Sequence, residues 1–315
     1  MAKSIVTGGA GFIGSALAAR LHSEGFETVV IDSLTDYYDV SIKQTRLRAL
    51  ENVGVDVVRE DLLDLDLGLL EGADTIYHLA GQPGVRPSWG KQFDGYIRNN
   101  IAATQRLLEA SSGMTGLKKF VYASSSSVYG DAKSYPTRES DLPMPMSPYG
   151  VTKLAAEHLC SLYAKNYQVP TVALRYFTVY GPGQRPDMAF HKFLKATFEG
   201  AAVDVYGDGE QIRDFTFVDD VVAANIAVSQ SEKTNGQVYN VCGGGSITVN
   251  ETLSIIGDCV GNAVRVNRMP PVPGDVRQTG GSADKLFADT GWRPRVEVAE
   301  GIKRETEWLA GHYGF

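Results

Sequence analysis

Hydrophobic positions along this chain follow two rhythms. Short β-branched runs at Ser4–Thr7, Glu27–Ile31, Val55–Arg59, Thr75–Leu79, Lys119–Ala123 and Thr171–Leu174 read as strands, and helical spacing separates them. Strands that alternate with helices predict an α/β fold with a doubly wound parallel sheet. After Arg175 the regularity breaks. Gly181–Pro186 is rich in Gly and Pro, Ala189–Glu199 has the pattern of an amphipathic helix, and Pro270–Gly274 is a second Pro-rich loop. These later pieces predict a smaller C-terminal substrate domain. Val218–Gln230 and Val238–Val241 are apolar enough to return to the first unit. The expected division is therefore 1–176 plus about 217–243 for the sheet domain, and 177–216 plus 244–315 for the smaller one.

A chain of 315 residues, 43% hydrophobic and 21% charged, has material for a sizeable core and the balance of an ordinary globular protein. Its formal net charge of −7 argues against a broadly cationic surface for nucleic acid. Met1-Ala2-Lys3 leads straight into a strand and a glycine turn, and no apolar run is long enough to span a bilayer, so the expected location is cytoplasmic. Cys160, Cys242 and Cys259 are odd in number and far apart. They predict neither a disulfide framework nor a metal site, only three small buried residues.

Chemistry first appears in Thr7-Gly8-Gly9-Ala10-Gly11-Phe12-Ile13-Gly14, between the first strand and the first helix. Glycines there permit a tight turn and close backbone approach to a pyrophosphate, and the helix N-terminus offers unpaired N–H groups. Asp32 ends the second strand about 20 residues on, where a carboxylate can accept both hydroxyls of an adenine ribose and repels a 2′-phosphate. No Arg or Lys lies inside the glycine loop or directly after Asp32. The predicted cofactor is NAD rather than NADP, on a Rossmann-type sheet.

Tyr149 and Lys153 lie four apart in Ser147-Pro148-Tyr149-Gly150-Val151-Thr152-Lys153, where Pro148 and the apolar spacing downstream predict a helix that puts both on one face. A phenol is a poor base at neutral pH, but an adjacent ammonium and a positive nicotinamide both favour its phenolate. Tyr149 could then take a proton from a sugar hydroxyl. Ser124-Ser125-Ser126-Ser127 comes off the strand at Lys119–Ala123, at the carboxyl end of the sheet where ligands bind in open α/β folds.

Together these residues resemble the extended short-chain dehydrogenases, the NAD-dependent epimerase/dehydratase family, over nearly the whole chain. The resemblance implies that Gly8, Gly11, Phe12 and Ile13 hold the pyrophosphate and Asp32 the ribose. It implies adenine contacts from Asp61 and Leu62, further NAD contacts from Leu79, Ala80, Gly81 and Asn100, and a catalytic triad of Ser125, Tyr149 and Lys153. Arg213 in Gln211-Ile212-Arg213-Asp214-Phe215 and Arg277 in Pro273-Gly274-Asp275-Val276-Arg277 match positions that clamp a sugar-nucleotide diphosphate. Dehydratases of the family carry Asp-Glu where this chain has Ser126 and Ser127, and UDP-xylose synthases carry Glu at the second position, so simple 4-epimerisation is what remains. Asp36-Tyr37-Tyr38-Asp39-Val40, Gly84-Val85-Arg86 and Gly183-Gln184-Arg185-Pro186-Asp187-Met188 are similar to UDP-glucuronate 4-epimerases, and Thr178 stands where UDP-glucose 4-epimerases usually have Asn.

On this reading Ser126, Ser127 and Thr178 would hydrogen-bond a C6 carboxylate, with Arg185 or Arg86 supplying positive charge. A UDP-glucose/UDP-galactose 4-epimerase is the nearest alternative, with a decarboxylase or 4,6-dehydratase behind it. A non-catalytic NAD-binding sensor or scaffold is the alternative from another class. The resemblance also implies a homodimer through helices such as Ile97–Ala110 and Tyr149–Lys165.

Overall fold

The structure, a computed structural model, describes residues 1–270 and 277–315. The strands among them are β1 (Lys3–Thr7), β2 (Glu27–Ile31), β3 (Asp56–Val58), β4 (Thr75–His78), β5 (Lys119–Ser125), β6 (Thr171–Tyr176), β7 (Thr178–Tyr180), β8 (Ala202–Tyr206), β9 (Ile212–Phe217), β10 (Gln237–Val241), β11 (Ser246–Thr248) and β12 (Arg265–Met269). Seven of them form one parallel sheet in the order β10-β6-β5-β4-β1-β2-β3. The chain winds outward one way through β2 and β3 and the other way through β4, β5 and β6. That reversal opens a crevice at the carboxyl ends of β1 and β4, where doubly wound sheets bind ligands.

Both faces of the sheet are buried, as the apolar strand runs require. Val6, Val30, Val121, Val172 and Leu174 pack on one face with Leu17 and Leu21 of the helix Phe12–Ser23 and Val221 of the helix Val218–Ser229. Their strand neighbours Ile5, Ile31, Phe120, Tyr122 and Ala173 point the other way, onto Leu107 and Leu108 of the helix Ala103–Ser112 and Ala156 and Cys160 of the helix Pro148–Tyr167. The expected strand ends shift by a residue or two. β5 runs on to Ser125 because Ser124 and Ser125 pair with Arg175 and Tyr176 of β6, and the buried Ser124 hydroxyl finds a carboxylate in Glu157.

Beyond β6 the chain makes two smaller sheets, β11-β9-β7 and the parallel pair β12-β8. The helices Ala189–Phe198, Val249–Val260 and Val298–Tyr313 pack together beside them. Cys160 and Cys242 are buried, but Cys259 is only partly so, because it falls in the last turn of the helix Val249–Val260. No helix among the described residues is long and apolar enough to cross a membrane.

One buried acid ties the last helix to the loop that follows β7. Glu305, fully buried, accepts a hydrogen bond from the Gly181 amide at 2.8 Å, and its other oxygen has no partner among the described residues. Burial pushes its carboxyl up to about 8. An unfolded Glu loses its proton near 4.5, so between those values the folded state binds the extra proton and stability falls as pH rises. Glu305→Gln should therefore gain stability relative to the parent as pH climbs through that window. Denaturant unfolding at several pH values reads this; a difference that stays flat with pH would contradict it.

Candidate active site

The crevice is built first from glycine. Gly8 takes φ +73°, and a Cβ there would lie 2.7 Å from the Ala80 amide nitrogen; a Cβ on Gly14 would lie 2.2 Å from the Gly8 carbonyl oxygen. Larger residues could not bring β1, β4 and the helix Phe12–Ser23 this close. Gly11 caps that helix without a side chain to occupy its first amides, and Gly8, Gly11, Phe12, Ile13 and Gly14 line the cleft. The local geometry is that of a phosphate cradle.

Asp32 stands at the end of β2 in the same wall, accepting from the amides of Ala10 at 3.0 Å and Leu34 at 2.8 Å. Its carboxylate is thus fixed in the cleft wall by the backbone on either side. Asp61, Leu62, Leu79, Ala80 and Gly81 also line the cleft.

Asn100 does not. Its side chain is buried and engaged, accepting from the Gln82 amide at 2.6 Å and donating to the Gln82 carbonyl at 3.1 Å and to Thr152 Oγ1 at 3.0 Å. Its neighbour Asn99 reaches the cleft instead, and both lie in a π-helical turn, Ile97–Ala102. Such a turn shifts the helix face by a residue relative to α-helical spacing. In this structure Asn100 braces the strand-end loop Gly81–Gln82 against the helix Pro148–Tyr167.

Tyr149 and Lys153 project from the helix Pro148–Tyr167, whose start is set by Ser147 accepting from the Gly150 amide at 3.1 Å and by Pro148 in the first turn. A Cβ on Gly150 would lie 2.6 Å from the Ser127 carbonyl oxygen, so the helix seats directly on the serine turn. Ser125 accepts from the Ser127 amide at 3.1 Å and lies near enough to Tyr149 to lower the pKa of its phenol. Burial holds the Tyr149 phenol above its usual range, while the Ser125 hydrogen bond and the Arg185 charge pull it back. Lys153 donates to the Ala123 carbonyl at 2.9 Å, and burial lowers its ammonium to about 8. Arg185 lines the same cleft, and its charge favours the Tyr149 phenolate, a partner that the four-residue spacing of Tyr149 and Lys153 did not announce.

Behind this pair lies a network that sequence reasoning missed. Glu157, one turn beyond Lys153, accepts from Ser124 at 2.7 Å and from Arg175 at 3.0 and 2.5 Å, and Arg175 donates to the Tyr129 hydroxyl at 2.7 Å. The network locks β5, β6 and the catalytic helix in register. A charged residue on the stripe shared by Tyr149 and Lys153 was the available signal.

The other assigned residues separate into groups. Ser126 and Ser127 form a short turn after β5 and Thr178 opens β7; all three are partly accessible and lie outside the wall of the dinucleotide cleft. Arg185 is in that wall, whereas Arg86 is exposed and stacks over the Tyr206 ring at 5.0 Å. Arg213 and Arg277 meet: Arg213 Nη1 donates to the carbonyls of Ile212 at 2.9 Å and Arg277 at 3.5 Å, and Arg277 pairs with Asp208 at 2.7 Å. Residues 273–276 of the Arg277 motif lie outside the described residues.

Two distant segments converge on Tyr37, a cleft residue. A Cβ on Gly84 would lie 2.4 Å from its hydroxyl, the Arg185 guanidinium sits 5.9 Å from its ring centre, and after burial the Asp187 carboxylate raises its phenol further. Arg46 completes the junction by donating to Tyr38 Oη at 3.2 Å and to the Gly183 carbonyl at 2.5 Å.

The glycine cradle, the uncapped helix start and the anchored Asp32 fit a bound dinucleotide. A family model described as the NAD dependent epimerase/dehydratase family matches residues 4–242. The chain is 38% identical over 314 residues to the uncharacterized UDP-glucose epimerase YtcB of Bacillus subtilis (strain 168), covering 99% of each. It is 36% identical over 335 residues to a probable UDP-glucuronate 4-epimerase of Rhizobium meliloti (strain 1021), covering 99% of this chain and 98% of the relative. A crystal structure of UDP-glucuronic acid 4-epimerase from Bacillus cereus, in complex with UDP-glucuronic acid and NAD, superposes with a TM-score of 0.95 at 42% identity, covering 99% of this chain and all of that one. The chain therefore belongs to the NAD dependent epimerase/dehydratase family.

Proposed function

We propose that this protein inverts C4 of UDP-glucuronate, giving UDP-galacturonate through a transient 4-keto sugar. The observation that carries the reading is Arg185, a guanidinium held in the wall of the same cleft as Tyr149. A cation in the same cleft as that phenol suits a sugar whose carboxylate is borne by the carbon next to the reacting one.

Bound NAD supplies reversible hydride exchange at C4, so none is consumed per turnover. Gly8, Gly11, Phe12, Ile13, Asp32, Asp61, Leu62, Leu79, Ala80, Gly81, Tyr149 and Lys153, all in the cleft wall, would hold it, with Asn100 packed directly behind Gly81. Tyr149 takes the proton of the 4-hydroxyl and returns it, Ser125 steadies the phenolate by donation, and Lys153 fixes the geometry between the Ala123 carbonyl and the cofactor side of the cleft. The sugar turns over between the two hydride steps.

A 4-keto glucuronate is a β-keto acid prone to lose carbon dioxide. Ser126, Ser127 and Thr178 would hold its carboxylate with hydroxyls, without the acids that dehydratases and decarboxylases of the family place here. Arg213 and Arg277 would grip the diphosphate, in a substrate-binding part made of 177–216 and 244–315. Thr178→Asn should lower glucuronate turnover several-fold and leave glucose turnover unchanged; unchanged glucuronate turnover would remove Thr178 from the carboxylate site. A homodimer through the helices around Ile97–Ala110 and Tyr149–Lys165 is supported by the exposed apolar side chains of Ile97, Val151 and Leu162. Its proposed location is the cytoplasm.

The test is to incubate the protein with UDP-glucuronate and with UDP-glucose and follow inversion at C4 through the H3–H4 and H4–H5 proton couplings. Faster inversion of the glucuronate is expected. Inversion of UDP-glucose alone would assign the chain to the glucose epimerases, as the name of the Bacillus subtilis relative would have it. A UDP-pentose product would make it a decarboxylase.

A further inference from the structure

Arg185 is not presented to the cleft alone. Its Nε and Nη2 donate to the two oxygens of Asp187, at 2.9 Å each. A guanidinium gripped side-on in this way keeps its opposite edge, Nη1 and the second proton of Nη2, for another acceptor. Nη1 has no hydrogen-bond partner among the described residues. The pair is two residues apart on one loop, with side-chain exposures of 21% and 31%, so it is largely shielded from water.

The loop under the pair is anchored. Gly181 is held by Glu305, Gly183 by Arg46, and the Gln184 side chain spans the loop, donating to the Val179 carbonyl at 3.2 Å and accepting from the His191 amide at 3.0 Å. What the backbone leaves undetermined is the long arginine side chain, whose torsional freedom must be lost before it can meet a ligand. Asp187 removes that freedom in advance. Tyr37, facing Asp187 and lying under the Arg185 guanidinium, limits where the fork can sit.

We propose that Asp187 is a positioning residue for substrate selection: with Tyr37 behind it, it grips one edge of Arg185 so that the other edge meets the C6 carboxylate of the sugar. The inference rests on the glucuronate reading above and deepens it. Arg185 then lies between two carboxylates, one resident and one arriving. Selectivity for the acid sugar comes from geometry as much as from charge.

The experiment uses NAD-loaded protein carrying Tyr149→Phe, so that nothing turns over, and measures Kd for UDP-glucuronate and UDP-glucose by calorimetry. Adding Asp187→Ala should raise Kd for UDP-glucuronate about tenfold and change that for UDP-glucose by less than about twofold, and Asp187→Glu should recover part of the loss. Unchanged or tighter glucuronate binding would overturn the assignment, and so would equal weakening of both ligands, which signals general distortion. Adding Arg185→Leu separates the two readings. If it abolishes the preference while Asp187→Ala does not, only the positioning role fails; if the preference survives even Arg185→Leu, the carboxylate role of Arg185 fails first.

Discussion

Tyr149→Phe is expected to lower the rate of C4 inversion about 1,000-fold or more, within the range general acid–base groups command, while NAD and the UDP-sugar remain bound. The substitution deletes the hydroxyl and keeps the ring, which packs edge-on against Tyr96 at 6.2 Å. Neither the glycine cradle nor Asp32 touches that hydroxyl, so cofactor content should not change. Proton NMR of the sugar, with cofactor released by denaturation and quantified, checks both parts. A variant within about tenfold of the parent rate would mean that another group moves the proton.

Arg185→Leu should reduce kcat/KM for UDP-glucuronate about 100-fold, some 2–3 kcal/mol for one charge-assisted contact in a sheltered site, and that for UDP-glucose far less. Two effects act together. The carboxylate loses its cation, and Tyr149 loses the positive charge that offsets its burial. The second effect should appear with both substrates, as a rise in the pH at which activity reaches its plateau, because the phenol then gives up its proton less readily. The first should appear only with the acid. Equal losses for the two sugars would assign Arg185 to proton transfer rather than to substrate choice, and no loss for either would remove it from the site.

The alternation of strands and helices, the glycine turn, Asp32 and the Tyr149/Lys153 pair were legible because each is a property of neighbours along the chain. Periodicity reports which faces are buried, a glycine turn announces its own backbone, and residues four apart on a helix share a face wherever that helix lies. The doubly wound parallel sheet followed from the same local facts, and Val238–Val241, apolar enough to return to it, is the edge strand β10.

Only the tertiary structure decided the rest. The π-helical turn at Ile97–Ala102 places Asn99 in the cleft wall and sets Asn100 against the Gln82 backbone and Thr152, and no α-helical count foresees it. Of two candidate arginines, Arg185 shares a cleft with Tyr149 while Arg86 stacks on Tyr206, a choice made by loop paths that leave no periodic trace. Glu157 and Arg175, unremarkable in the sequence, become the buried clamp behind the catalytic strand once β6 lies beside β5. The segments around Tyr37, Gly84 and Arg185 carried a resemblance but no stated contact, and the fold brings all three to one phenol. The sequence by itself determined the elements and the chemistry they carry locally, since those depend on near neighbours. Which distant side chains share the cleft was decided by packing, because contacts between residues a hundred or more positions apart exist only after the sheet has assembled.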